Sequence, residues 1–247
     1  VFDEETNFTF SYSPITDESS TVLGILNITS ETTDSVVDRR RLKTIDQLHA
    51  TMTEHRSSIT GLSAAVLDVL RDSDDIARAE LHLADGGNLV LAGATDLVHS
   101  DLVDNEIVRK AWTSRLPVSL SPTLVAPLSR ADEQAAHGVL VLKGSVRRPY
   151  DAAQRAFLML VASTVSAALG AATDLRREID LLNAYAELAA REAERTRESS
   201  VALQHSLLTS PPEPDHLHIV VRYHPASDDL EIGGDWYDSF LTDDGST

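Results

Sequence analysis

The chain contains no cysteine. Disulfides, thiolate metal sites, cysteine nucleophiles and thioether-linked chromophores are therefore excluded, and the composition suits a reducing cytoplasm, the expected location. A bilayer-spanning run is also lacking: the most apolar stretch, residues 157–172, is short and holds Ser163, Thr164 and Ser166. No signal peptide precedes it, and a chain that opens on Val1 rather than Met is expected to be a fragment. Basic residues are absent from residues 1–35, which carry seven acids, and residues 213–247 carry nine acids against Arg222 alone. With a net charge of −18 so placed, the surface repels phosphate backbones and anionic lipid. Neither nucleic acid nor a membrane is an expected partner.

Proline is missing between Asp151 and Ser210, and Gly170 is the only glycine there. What fills that interval is a heptad seam: Leu158, Val161, Val165, Ala168, Ala172, Leu175, Ile179, Leu182, Ala186, Ala189, Ala193, Thr196, Ser200, Leu203 and Leu207. Steps of three and four alternate throughout, which keeps one stripe of a slightly underwound helix facing a partner. The spacing predicts a rod about 80–90 Å long at 1.5 Å per residue. Its middle, Ala186 to Ser200, is weakly apolar. In a parallel dimer Glu192 would face Arg197 of the other copy, so a homodimeric coiled coil is expected, the alternative being one long helix lying on its own domain.

The length allows one or two domains, and 42% hydrophobic residues suffice for a core. Residues 7–13 and 21–29 are alternating or β-branched runs about a polar turn from Pro14 to Ser20, hence a hairpin, which needs further strands to be stable. Phe10-Ser11-Tyr12-Ser13-Pro14-Ile15-x-Asp17-Glu18, then Val22-Leu23-Gly24-Ile25-Leu26-Asn27-Ile28, then Glu31-Thr32-Thr33, resembles the close of a PAS sensor domain. Thr33 or Asp34 can cap the helix that follows. Its stripe Ile45, Leu48, Met52, His55, Ile59, Leu62, Val66, Val69 is a second heptad run, on which His55 is read as a surface or partly buried residue rather than a ligand.

Ile76–Ala84 and Asn88–Ala92 flank an Asp85-Gly86-Gly87 turn, a strong hairpin signal. Asp104 to Arg115 has the helical set Ile107, Val108, Ala111, Trp112; Thr123–Leu128 and Gly138–Lys143 read as strands; Tyr150-Asp151 opens the last helix. Helix, two strands, helix, strands, helix resembles a GAF domain over roughly residues 55–172. That resemblance implies a small-molecule or relay module, its ligand unknown: the Asn-Lys-x-Phe-Asp pattern of cyclic-nucleotide binders is lacking. Trp112, His82 and His137 are candidate pocket residues, with core or surface roles as the plainer alternative.

Pro211, Pro212 and Pro214 stop the helix. A strand over Leu217–Tyr223 is expected next, and Asp215-His216-Leu217-His218 gives it two imidazoles without a metal assignment. Two glycines beside an acid, Gly233-Gly234-Asp235, allow a tight turn that can present Asp235 to a divalent cation, or simply a solvated turn. The ordered set Leu203-Gln204-x-Ser206-Leu207-Leu208, Arg222-Tyr223-x-Pro225-Ala226 and Gly233-Gly234-Asp235-Trp236-Tyr237-Asp238 resembles the opening of a SpoIIE-type serine/threonine phosphatase, of the protein phosphatase 2C class. The resemblance implies that Asp235 is a ligand of the Mn2+ or Mg2+ pair. It also implies a phosphorylated anti-sigma-factor antagonist as substrate. The family's later aspartate motifs do not occur in these residues, and two-metal chemistry needs several carboxylates, so this stretch alone is expected to be inactive. No His-Glu-x-x pattern supports a histidine kinase; a non-enzymatic dimeric PAS/GAF scaffold is the alternative.

The expected fold class is α+β, a GAF-like antiparallel sheet with helices, flanked by coiled-coil signalling helices and by partial PAS and phosphatase ends. The divisions are residues 1–35 (PAS), 36–72 (linker helix), 73–172 (GAF), 173–209 (coiled coil) and 210–247 (start of the phosphatase domain).

Overall fold

The structure, a computed structural model, describes residues 4–96, 102–130, 135–207 and 220. Asp235 and the other motifs of residues 210–247 lie outside the described residues, so the phosphatase reading has no structural counterpart here. The described chain is α+β, as expected. By internal contacts it divides into two units, Val1–Arg177 and Glu178–Thr247.

The first unit opens with a hairpin of β1 (Phe8–Thr16) and β2 (Val22–Glu31). The turn is shorter than the sequence suggests and Pro14 belongs to the strand, opposite Ile25. The Asp17 carboxylate closes the turn by accepting from the backbone N–H groups of Ser19 and Thr21, both at 2.9 Å. The Thr32 N–H donates to the Asn7 carbonyl at 2.8 Å, which fixes the odd-numbered residues of β1 as ladder rungs. Pro14 falls in the alternate set, whose N–H positions point away from β2, so its missing donor costs this pair nothing. Phe8, Phe10, Tyr12, Val22, Leu23, Ile25 and Ile28 remain more than half exposed.

Two helices follow where the stripe of residues 45–69 suggests one. Helix α1 (Thr33–Glu54) stops at His55, and α2 (Ile59–Arg71) starts behind Ser58, whose hydroxyl accepts from the Gly61 N–H at 3.1 Å. Ser58 thus satisfies one of the orphan donors of a new first turn. The α1 N-cap is Thr32, not Thr33 or Asp34, and it caps without a side-chain bond; the Thr33 hydroxyl instead accepts from the Asn7 N–H at 2.9 Å. His55 is half-buried, as read.

Strands β3 (Ile76–Asp85), β4 (Asn88–Ala94), β5 (Val118–Leu120), β6 (Thr123–Leu128) and β7 (Gly138–Gly144) form an antiparallel sheet of order β4-β3-β7-β6-β5. Gly86 and Gly87, at φ of 53° and 87°, make the β3–β4 turn that the Asp-Gly-Gly run predicts. Helix α3 (Asn105–Ser114) is capped by the Asp104 carboxylate on the Glu106 N–H at 2.8 Å. Helix α4 (Ala152–Leu207) is capped by Asp151, which accepts from the Gln154 N–H at 2.8 Å.

The sheet is covered on both faces. One packs on α1, α2 and the first part of α4 through Leu48, Leu62, Leu70, Leu81, Leu124, Leu140, Leu142, Leu158 and Leu169. Each leucine so buried contributes about 1.5–3 kcal/mol of transfer free energy. The other face packs on α3 through Val125, Val139, Val141, Val108 and Ala111. This corrects the seam: Leu158, Val161, Val165 and Ala172 are buried in the core of their own domain. A 3-4 repeat satisfies a domain core as well as a second chain, and here the sheet takes those residues first. Residues 36–72, divided off as a linker, likewise supply the core with Leu48, Met52, Leu62 and Val66.

Unit two begins within α4, where Ile179, Leu181, Leu182, Tyr185 and Leu188 are exposed. By length and composition α4 is able to cross a membrane, but half of its apolar stretch is buried inside the fold.

At Gly138 the backbone of β7 lies against that of β3. A Cβ there would stand 2.1 Å from the His82 carbonyl oxygen, which the β3–β7 ladder prevents from moving away. Gly138→Ala is expected to cost about 1–3 kcal/mol, read as a lower urea midpoint at unchanged slope.

Candidate functional site

Among the described residues, buried carboxylates stand at two places, one just before β3 and one within it. The first is Asp75, immediately before the strand and 0% exposed. A carboxylate without water needs cations and donors around it. Arg40 on α1 supplies two hydrogen bonds, Nε to Oδ2 at 2.8 Å and Nη2 to Oδ1 at 2.9 Å. Arg41 adds its charge at 3.7 Å and lies over the Phe157 ring, 5.0 Å from the centroid. Gln154, in the first turn of α4, donates to the Asp75 carbonyl at 2.9 Å and accepts from Arg41.

The same guanidinium reaches the segment before β1. Arg40 donates to both oxygens of Glu5, at 3.1 and 3.0 Å. The Glu5 N–H donates to the Arg147 carbonyl, at 3.0 Å, in the loop between β7 and α4. The hydrogen bonds from Arg40 hold the Glu5 carboxyl below its ordinary value. The Asp75 bond raises Arg40 further into its charged form, whereas burial lowers Arg41. Five parts of the chain therefore meet around one carboxylate: the leader to β1, α1, the start of β3, the β7–α4 loop and the start of α4.

The second place is the α3-facing side of β3. Ala79 and Leu81 point into the helical core, so the alternating Arg78, Glu80 and His82 point the other way. Glu80 is 2% exposed and accepts at Oε1 from Arg78 at 3.0 Å and from the Leu102 N–H at 2.9 Å. His82 Nε2 lies 3.7 Å from the other Glu80 oxygen. Val139 and Val141 stand opposite His82 and Glu80 on β7, giving the charged row an apolar wall.

The three pocket candidates separate. His82 is buried on β3, and Trp112 packs on the same side of the sheet, its indole N–H donating to the Ala136 carbonyl at 2.9 Å. His137 instead lines a cleft of about 480 Å3 with Ile59, Leu83, Leu169, Thr173 and Arg177. Among the described residues no three His, Asp or Glu side chains gather to hold a metal ion. Asp75, Arg40, Arg41, Gln154, Arg78 and Glu80 carry no flag in the sequence. The trace that exists is Arg-x-Glu-x-His in β3, and alternation of that kind ordinarily marks a solvated face.

Removing the Asp75 charge leaves the partly buried Arg41 without its carboxylate and Arg40 with Glu5 alone among its close hydrogen-bonded acids. Asp75→Asn is expected to cost about 3–5 kcal/mol, whereas Asp34→Asn, at a partner 91% exposed, changes stability by less than about 0.5 kcal/mol. Thermal and urea unfolding of both variants test this contrast. Glu5 adds a pH dependence. Its carboxyl has an ordinary value near 4.5 and is lowered in the fold, so its contribution is complete above that value and fades as pH falls through the folded one. The stability gap between wild type and Glu5→Gln should hold constant above pH 5.5 and close in acid; a gap that widens in acid contradicts the sign.

No protein-family model and no curated protein matches the chain. Solved structures similar to it include the GAF domain of an Acinetobacter phosphoenolpyruvate-protein phosphotransferase, at 15% identity over 56% of this chain and 97% of that one, TM-score 0.41. The GAF domain of the corresponding Coxiella burnetii enzyme aligns at 12% identity over 56% and 98%, TM-score 0.42. The GAF-B domain of DevS from Mycobacterium smegmatis aligns at 23% identity over 42% and 86%, TM-score 0.30.

Proposed function

We propose that this chain is the sensory and regulatory region of a cytoplasmic, metal-dependent phosphoserine/phosphothreonine phosphatase, PAS and GAF modules acting through α4 on a catalytic domain. The GAF reading is supported by the five-stranded antiparallel sheet between α3 and the α1, α2 and α4 layer. The observation that carries the phosphatase reading is the sequence Gly233-Gly234-Asp235-Trp236-Tyr237-Asp238 downstream of a long helix. In this reading Asp235 holds Mn2+ or Mg2+, the substrate is a phosphorylated anti-sigma-factor antagonist or similar phosphoprotein, and the chain works as a homodimer. The Asp75 junction supports a relay role, because it ties the segment before β1 to the start of α4.

A second reading, a non-enzymatic dimeric scaffold, is favoured by the exposed Leu181, Tyr185 and Leu188, which serve binding with or without catalysis. The test is made in a polypeptide that carries the whole phosphatase unit. There Asp235→Asn should abolish Mn2+-dependent release of phosphate from a phosphoserine protein, since Asn keeps the shape and loses the charge that holds a hard cation. Undiminished turnover in that variant overturns the assignment. An inactive wild type in Mn2+ favours the scaffold.

A further inference from the structure

Three parts of the first unit leave a hollow between them: the start of α2, the end of β3 with the segment before β7, and the last turns of α4 within that unit. This is the cleft of about 480 Å3 that His137 and Arg177 line. Its volume falls within the range of small-molecule sites, roughly 300–1,000 Å3. It lies on the helical face of the sheet, because Ile59, Leu83 and Leu169 belong to the edge of the helical core. The buried Glu80 and His82 point the other way. Ile59 and Leu83 are only half-buried, so the hollow keeps apolar side chains in contact with water. An apolar body seated there would remove that contact, which is favourable in proportion to the area covered.

The polar groups of the cleft differ in what they already do. Thr173 donates its hydroxyl to the Leu169 carbonyl at 2.8 Å, so it has no donor for a guest. The backbone of His137 is pinned on both sides, its N–H to the Leu128 carbonyl at 2.7 Å and its carbonyl to the Ala84 N–H at 2.8 Å. Arg177 stands one turn beyond Thr173 on the same face of α4. Its contact with Asp174 measures 3.6 Å, longer than a hydrogen bond, whereas Asp174 accepts from Arg130 at 3.0 Å. The Arg177 fork therefore keeps donors for a second acid. None of the described residues lining the cleft is acidic, in a chain where 39 acids outnumber 21 Lys and Arg.

We propose that this cleft binds a small amphipathic monocarboxylate, its apolar body on Ile59, Leu83 and Leu169 and its carboxylate on Arg177. A guanidinium recognises a carboxylate through two parallel N–H donors, which gives orientation as well as attraction. One such group suits a single negative charge. A phosphate dianion would call for more cations than the cleft presents, and the field of a chain of net charge −18 opposes a dianion more than a monoanion. An occupant so placed bridges α2, β3 and α4, and Arg177 is the last residue of the first unit. Its use as a signal rests on the sensory reading above; the binding itself does not.

The probes are octanoate and 2-naphthoate, an aliphatic and an aromatic monocarboxylate, titrated calorimetrically into the full chain, with octanamide as the uncharged match to octanoate. Octanoate should bind about tenfold more tightly than octanamide, the advantage expected of a charge-assisted hydrogen-bonded pair. Arg177→Gln, at a side chain 69% exposed, should remove that difference and leave thermal unfolding unchanged. Ala135→Trp, at an exposed position on the cleft wall, should block the acids and the amide alike. A chain that binds neither acid, or that binds them undiminished in both variants, overturns the site. Equal affinity for octanoate and octanamide overturns the carboxylate assignment. Where the acids bind as described and yet leave the Mn2+-dependent turnover of an active polypeptide with the whole phosphatase unit unaltered, the site stands and the sensory reading falls.

Discussion

A carboxylate with no access to water cannot be left to itself, and Asp75 dictates much of what surrounds it. Taking an ion out of water costs several kcal/mol even after relaxation, so cations must be delivered to a fixed point. Here they come from consecutive residues of α1, while a glutamine from α4 holds the Asp75 backbone carbonyl and accepts from Arg41. The elements that supply these groups lose the freedom to shift independently. Glu5 extends the constraint to the leader of the β1–β2 hairpin through the same guanidinium. The leucine core provides the bulk of the stabilisation without choosing a register. The ion cluster fixes which turn of α1 meets which turn of α4.

Helix α4 serves two masters over its first part. Its sheet-facing side belongs to the domain core, and its outward side is nearly as apolar. A membrane helix would look similar by composition, yet the burial is one-sided and supplied by protein. The sensory role proposed above would need an output that is rigid and already coupled to the input. A helix that begins as a core element and runs on without interruption meets both needs. Its N-terminal turn sits in the Asp75 cluster, so a disturbance of that cluster acts where the helix starts.

The local chemistry of the chain was readable without coordinates. Asp104 and Asp151 cap their helices, Gly86 and Gly87 turn between β3 and β4, and the apolar runs of β6 and β7 are central strands. Long-range partners were not. A seam stepping by three and four says that one stripe is buried and is silent on by what, which is why Leu158 to Ala172 reads equally as a dimer contact. The Ser58 cap breaks a stripe whose periodicity runs straight through it. β5, with three residues, is too short to leave a pattern. Arg78, Glu80 and His82 alternate as a solvated face does, and their burial depends on α3 and the Leu102 segment coming from elsewhere in the sequence. Asp235 stands on sequence alone.

Pro14 has a meaning beyond the geometry of one hairpin. Among the described residues the outer edge of β1 pairs with nothing, and the strands carry Phe8, Phe10, Tyr12 and Ile15 in the open. An uncovered, apolar strand edge is a template for any extended segment that drifts against it, and ordered stacking can follow. Such a ladder is built from outward-pointing N–H groups, and at Pro14 one is missing. An incoming strand meets a gap near the middle of the edge, while the hairpin, whose own rungs are the odd-numbered residues, loses no bond. The proline thus interrupts the ladder that any strand laid along this edge of β1 could form.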